Sequence, residues 1–587
     1  MKTQNRRNGA KIISIFAMFF LFISGCARQS EDERFAKLVE KFMDEYFKYN
    51  PVTATWVGYH KYDNLLDDLS EESLKEKLEW LKDYREKFSK FDLKKLSKDN
   101  SIDCRILLEE IDEMIFNLEK LREYEWNPLI YNSIIGDGLM YLITQDFAPA
   151  EERLKNALER VKQIPKFVET AKKNLKDAPQ IHIETAIRQN KGNINILKND
   201  FIKFADTLKI SDELKSEIKK ASEIAIASLE DYGKWLENEL KPRSKRDFRL
   251  GKELYYEKMK YYLKSRFTPD EILSLAEREK AKTHDEMYQI ALPLYKYYYG
   301  REPKGMDKLS VIKAVLDKIV LEHPRPSEIM DRIKLDLRYL TQFVKEKDLL
   351  TLDESKPLVV RETPEYQRGV SVASLEAPGP LEKNMKTFYN VSPIPEDWTP
   401  EQVESYLREY NYYSLLELSI HEAIPGHYVQ LYYSNRCPSI VRSVFWSGPM
   451  VEGWAVYAER LLIENGLLNN DPKLKLIHLK WYIRVVINAI LDHKIHAGNM
   501  TQDEAIDLMM REGFQERAEA EGKWKRACLT SAQLSSYFTG FQEIMSLREE
   551  YMKKKGENFK IKEFNESLLS HGSPPVKYLR EILLGEN

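Results

Sequence analysis

The feature that most restricts this chain is the spacing of its apolar residues. In SIDCRILLEEIDEMIFNLEKLREY, Cys104, Leu107, Leu108, Ile111, Met114, Ile115, Leu118 and Leu121 recur at three- and four-residue intervals. An α-helix turns about 100° per residue, so these positions form one apolar stripe. The same period runs through 150–176, 214–240, 269–291, 309–320, 327–347, 473–497, 502–511 and 531–555. Thr268-Pro269-Asp270-Glu271 and Thr501-Gln502-Asp503-Glu504 open helices with a cap and an acidic first turn. Only KPLVVRET (356–363) reads as a strand. SVASLEAPGP (371–380) follows it and would complete a small sheet or an ordered loop. The expectation is a mainly α, large multi-helix fold with at most a small β element.

Length and charge narrow the function classes. The 587 residues are 43% hydrophobic, enough for a large core and for two or more domains of roughly 100–200 residues each. A boundary is expected near Lys241-Pro242-Arg243-Ser244, between an N-terminal helical half (26–245) and a C-terminal half (246–587) that holds the chemistry. Charged residues make up 32% and nearly cancel at net −3. With no basic stripe interleaved with aromatics, nucleic acid is not an expected partner.

Residues 1–25 stand apart. Lys2, Arg6, Arg7 and Lys11 precede an apolar run from Ile12 to Ile23, and Ser24, Gly25 and Cys26 follow. The run is about half of the ~20 residues a spanning helix needs, so it reads as a secretory signal. Ile23-Ser24-Gly25-Cys26 resembles the bacterial lipoprotein box. That implies removal of 1–25, acylation of Cys26 and an extracytoplasmic protein anchored to a membrane by its lipid. Cys104, Cys437 and Cys528 are far apart and odd in number, which suits buried thiols or at most one bridge.

The chemistry concentrates in HEAIPGH (421–427). Six residues separate His421 from His427, which on a continuous helix is about 240° of rotation, so the imidazoles would diverge. Pro425 and Gly426 can break or bulge the helix and bring them back together. His421 and Glu422 end an apolar helical stretch, where buried polar groups require partners. A third ligand is available downstream in SGPMVEGWAVYAERLLIENG (447–466). Glu452 and Glu459 there lie seven residues, two turns, apart on one face. Glu452 is taken as the third ligand of a zinc ion. Glu459 is taken as the group that holds a ligand histidine by its other nitrogen. His496, with His493 and the adjacent Asp492, is a weaker candidate, and Asp492 is placed in a supporting role. Tyr537, in QLSSYFTGF, could donate to an oxyanion. Arg526 and Arg368 could hold a substrate carboxylate.

HEAIPGH and EGWAVYAE (452–459) together resemble the hallmark of the bacterial domain-of-unknown-function family 885. NPVTATWVGYHKYDNLLDDLS (50–70), RDFRLGKELYYEKM (246–259), QLSSYFTG (533–540) and EFNESLLSHGSPPVKYLRE (563–581) are similar to the family's other signatures. The pattern is also similar to that of helical zinc peptidases with a deep channel. What the resemblance implies is zinc on His421, His427 and Glu452, Glu422 as general base, and Tyr537 lining the site. The chain departs from the family pattern in three places. Asn488 stands where an Arg precedes Asp492, Ser531-Ala532 where Pro-Gly is usual, and Phe564-Asn565-Glu566 where Phe-His-Asp is common.

The expectation is a lipid-anchored zinc metallopeptidase acting on short peptides, as a carboxypeptidase or dipeptidase if an arginine holds the terminal carboxylate. Tyr537 and His496 would serve its oxyanion. Two other functions use the same residues: hydrolysis of a non-peptide or cell-wall amide, and a non-catalytic peptide-binding lipoprotein.

Overall fold

The structure is a computed structural model that describes residues 30–355, 358–363, 373–382, 385–395 and 397–585. Cys26 with its signal segment, and Arg368, lie outside the described residues. The fold is mainly α-helical with one small sheet. No described helix is long and apolar enough to cross a membrane.

Helices begin where the caps are. Thr268 and Thr501 each accept from the third helical N–H, while Glu271 and Glu504 reach back to the cap N–H. The helix from Thr268 runs beyond the expected 269–291, to Tyr299, and passes through Pro293. The helix expected in SIDCRILLEEIDEMIF spans Lys98–Phe116 and ends in a wider turn at Asn117–Leu121. Its buried face differs from the single stripe. Ile106 and Phe116 are buried, whereas Leu108, Met114, Ile115 and Leu118 are only half-buried. The helix has more than one partner: Asp103 accepts from Arg442 Nε at 2.6 Å and from Ser439 Oγ at 2.7 Å, and Phe116 packs in a separate small core beside Leu250, Leu254 and Tyr261.

Three large apolar cores result. One gathers residues from Val52 to Leu240, and another residues from Tyr255 to Leu579. The third joins distant parts of the sequence. Phe35, Phe42, Phe47, Val57 and Ile106 pack in it with Val441, Val444, Phe445 and Tyr578.

The sheet has strands β1 (Leu358–Glu362), β2 (Ala373–Glu376) and β3 (Thr387–Val391) in the order β1-β3-β2. β1 runs parallel to β3, with Val360 opposite Tyr389, and β2 runs antiparallel, with Leu375 opposite Tyr389. The expected strand is thus β1, and SVASLEAPGP supplies β2. β3 carries no run of β-branched residues to announce it. Just past β2 the chain meets the N-terminal helices. Leu381 N donates to Val57 O at 2.9 Å. A Cβ on Gly379 would fall 2.3 Å from Trp56 O, so only glycine permits this approach. His60 clasps the same place. Its ring stacks on Phe147 at 3.8 Å, Nδ1 lies 2.9 Å from Asp63 and Nε2 lies 2.6 Å from Glu382.

The free thiols Cys104 and Cys528 are buried and Cys437 is half-buried, with no bridge among them.

Candidate metal centre

The first site helix, Tyr412–Glu422, starts at Asn411, whose side chain accepts from the N–H groups of Tyr413 and Ser414. It ends at Ala423. The Ile424–Pro425 peptide is cis, and a new helix, His427–Ser434, begins. Gly426 makes the fold-back possible. Its N–H donates to Ile420 O at 2.9 Å, and a Cβ there would lie 1.9 Å from His421 O. The break expected from Pro-Gly is therefore a full helix end and restart. It leaves the His421 and His427 rings 4.8 Å apart and perpendicular.

The second site helix, Gly448–Glu464, is capped by Ser447 and carries Pro449 in its first turn. Trp454 Nε1 donates to Pro425 O at 2.9 Å, which ties the EGWAVYAE helix directly to the HEAIPGH break. Glu452 then faces both imidazoles. Its Oε2 is 3.5 Å from His427 Nε2 and 3.8 Å from His421 Nε2. These separations are too long for good hydrogen bonds. They are close to the ~3.3 Å between two ligand atoms on one tetrahedral zinc, given ligand distances near 2.0–2.1 Å. Glu452 Oε2 is buried and has no hydrogen-bond partner among the described residues. A buried carboxylate oxygen facing two imidazole nitrogens is costly unless a cation completes it. Two imidazole nitrogens and one carboxylate oxygen are also a usual donor set for zinc with an open fourth position, so the residues present fit that ion.

Electrostatics within the group agree with the geometry. Burial, then the neighbouring His427, holds the His421 imidazole below its ordinary pKa. Burial opposes protonation of His427 as well, but the facing Glu452 carboxylate lifts it above the usual value. Burial works to raise Glu452, yet His427 pulls it below the ordinary carboxylate range. His421 is oriented from behind, since its Nδ1 lies 2.6 Å from Glu459 Oε1. Burial and the adjacent Glu417 push Glu459 well above the carboxylate range. Glu422 follows His421 directly, and its charge helps raise the pKa of buried Tyr389 on β3, after burial itself.

A second buried cluster, Glu417, Glu459 and His478, adjoins the first. There His478 Nδ1 is only 2.5 Å from Glu417 Oε1. That is a hydrogen bond, and it is too short for two ligands of one ion.

Tyr537 reaches the group through a close helix crossing. A Cβ on Gly540 would lie 1.7 Å from Pro449 O, and one on Gly453 would lie 2.4 Å from the Gly540 carbonyl carbon. The Ser535–Lys555 helix therefore touches the Glu452 helix backbone to backbone. Burial, then the Glu452 charge, pushes the Tyr537 phenol up to about 12, so it stays a hydroxyl donor at neutral pH. Its oxygen accepts from Arg526 at 3.1 Å, and exposed Arg526 also donates to Gln533 Oε1 at 2.8 Å.

The structure corrects one expectation, that for His496, and shows what Asp492 holds. Asp492 accepts from Ala532 N, Ser535 N and Ser535 Oγ at 3.1, 3.3 and 2.7 Å, and so fixes the turn ahead of Tyr537. His496 is not free to serve an oxyanion. Its Nε2 lies 3.0 and 2.8 Å from the carbonyl oxygens of Ala527 and Thr530, where it can only donate, so it braces the same turn. His493 pairs with Tyr256 at 2.8 Å. Ala532, where the family pattern has Gly, sits at φ 67°. Sequence reasoning missed Tyr262, Tyr389 and the Gly453–Gly540 contact. Only the last left a signal, a glycine inside each of two motif-bearing helices.

Comparison with known proteins places this geometry. The chain is similar over 94% of its length, and over 99% of the other chain, to a protein from Shewanella oneidensis described as "a putative lipoprotein of unknown function". The identity is 38% and the TM-score 0.84. A second protein, from Colwellia psychrerythraea and described as a "putative lipoprotein", shares the fold at 18% identity and TM-score 0.75, with 95% and 99% of the two chains covered. No curated protein matches. The family model of DUF885, bacterial protein of unknown function, matches residues 51–583, and the chain belongs to that family.

Proposed function

We propose that the chain is a zinc-dependent hydrolase of short peptides, carried outside the cytoplasm as a lipoprotein anchored through Cys26. The lipoprotein part is supported by the box at Cys26 and by the descriptions of the two similar structures. The observation that carries the hydrolase reading is Glu452 Oε2. It is buried without a hydrogen-bond partner among the described residues and faces the Nε2 atoms of His421 and His427 at ligand-like separations.

His421, His427 and Glu452 would hold the zinc. Bound there, it would supply Lewis acidity toward a substrate carbonyl and acidify water. Glu422, beside His421, takes a proton from the attacking water and returns it to the leaving amine. The Tyr537 hydroxyl, kept protonated by burial and by Glu452, donates to the oxygen on which charge develops. Glu459, 2.6 Å from His421 Nδ1, would fix the tautomer and orientation of that ring. Arg526, exposed beside Tyr537, is placed to meet a carboxylate at the end of a short peptide. Three protein ligands rather than four among the described residues favour a catalytic over a structural zinc.

The test is incubation of zinc-supplied residues 27–587 with a mixed peptide library, products read by mass spectrometry, with Glu422→Gln alongside. Cleavage that disappears in the variant, with zinc retained in both, supports the reading. A zinc-loaded wild type that cuts no peptide refutes it. Turnover of a non-peptide or cell-wall amide would then move the activity to that class, and peptide binding without turnover would make the chain a binding lipoprotein.

A further inference from the structure

A cavity of about 260 Å³ adjoins the candidate centre. Its walls include Trp126, Phe248, Leu250 and Leu529, with Tyr262 and Gln533. Tyr262 and Gln533 connect it to the chemistry. The Tyr262 hydroxyl lies 3.7 Å from where a Cβ on Gly448 would stand, and Ser536 Oγ lies 3.9 Å from the same point. Gly448 opens the helix that carries Glu452 about one turn later, and Ser536 precedes Tyr537. Gln533 shares the Arg526 guanidinium with the Tyr537 hydroxyl.

The size of the cavity selects its occupant. Pockets for drug-sized ligands run from about 300 to 1,000 Å³, so this one suits a single side chain rather than a length of peptide. Its charge selects too. Glu123 in the wall is neutralised by Lys258 at 3.0 Å. Burial drives the His182 imidazole down to about 4, so it is uncharged at neutral pH. His496, also in the wall, is held below its ordinary pKa by burial, and the polar wall groups Asn127, Thr530, Ser531 and Gln533 carry no charge. A charged occupant would therefore lose its hydration without a counter-charge. The ring walls favour an aromatic group. Trp126 stands edge-on to His182 at 5.7 Å, and Phe248 edge-on to Trp524 at 5.9 Å, an arrangement that a further ring can join.

We propose that this cavity is a specificity pocket for an uncharged aromatic side chain of the substrate, seated about one helical turn from Glu452. The role in substrate selection rests on the hydrolase reading, whereas the preference for the ring rests on the walls alone. The test therefore reads binding. The zinc-supplied Glu422→Gln protein is titrated with N-acetyl-phenylalaninamide and with N-acetyl-alaninamide by calorimetry. The phenylalanine probe should bind roughly tenfold more tightly or better. Adding Leu250→Trp, which fills the cavity, should weaken it by at least about tenfold. Trp126→Ala removes a wall by an independent route and should weaken it several-fold. Equal binding of the two probes, or binding indifferent to both substitutions, overturns the proposal. Selective binding with no peptide cleavage by the wild type leaves the pocket and removes the hydrolase. Cleavage with no aromatic preference, unchanged by Leu250→Trp, removes the pocket and leaves the hydrolase.

Discussion

Replacing Gly540 by alanine tests how the site is assembled. A Cβ at that position would stand 1.7 Å from Pro449 O. The closest ordinary carbon–oxygen contact is about 3.3 Å, so the two helices must separate locally by about 1.6 Å. The Glu452 helix is pinned on its other side by Trp454 to Pro425 O and by Glu459 to His421. The Ser535–Lys555 helix must therefore give way, and it carries Tyr537 less than one turn from Gly540. The expected result has two parts. Overpacking should cost about 1–3 kcal/mol of stability. Zinc binding should persist while hydrolysis falls about 100-fold, because a misplacement of about 1 Å at a reacting centre is worth that much. Metal content, the unfolding midpoint and kcat/KM against the best library peptide measure all three. Gly522→Ala is the control, since Gly522 is exposed in a helix with nothing within 4 Å of its Cβ position. It should be neutral or stabilising by up to about 1 kcal/mol. If Gly540→Ala is as stable and as active as Gly522→Ala, the crossing does not position Tyr537 and the reasoning fails.

Ala532→Gly should stabilise the protein by about 1 kcal/mol, because Ala532 sits at φ 67° where only glycine is unstrained. An unchanged or lower urea midpoint would contradict that. His60→Gln should remove a pH-dependent contribution. Burial opposes the charge on His60, but Asp63 and Glu382 raise its pKa above the ordinary value. The contribution is therefore fully present below the unfolded pKa of about 6.5 and is lost as pH rises through the raised folded value. The gap in unfolding midpoint between wild type and variant should be widest below about pH 6.5 and should narrow in mild alkali. A gap that widens with pH would reverse the sign and sink the clasp.

Much of this was legible in the sequence, and the limits have physical causes. Period and caps announce helices because both are local, which is why Thr268 and Thr501 mark true starts. The HEAIPGH spacing was informative because a continuous helix forbids convergence, so the Pro-Gly pair had to break it. Glu452 and Glu459 followed from two-turn spacing on one helix. His496 was misassigned, and the partners of Asp492 could not be named, because both meet backbone atoms of a distant turn, where any residue offers the same N–H or C=O. Tyr262 was invisible for a related reason. Its place beside Gly448 depends on how two helices far apart in sequence cross, which no local pattern records. The lack of a single stripe on Lys98–Phe116 has the same origin, because its further partners come from residues near 440 and from 250–261.

The third apolar core has a consequence for how the protein comes into being. Phe42, Val57 and Ile106 find their partners at Val441, Phe445 and Tyr578. Domains usually fold in order as the chain emerges, N-terminal part first. Here the earliest helices cannot complete their packing until Tyr578 has arrived. A chain still being made therefore holds an adhesive aromatic face open until residues beyond 440 arrive. Anything that stalls synthesis short of Val441 leaves that face bare, and a stop short of Tyr578 leaves it incomplete. Completion of this core would therefore register at Tyr578 rather than in the helices that begin it.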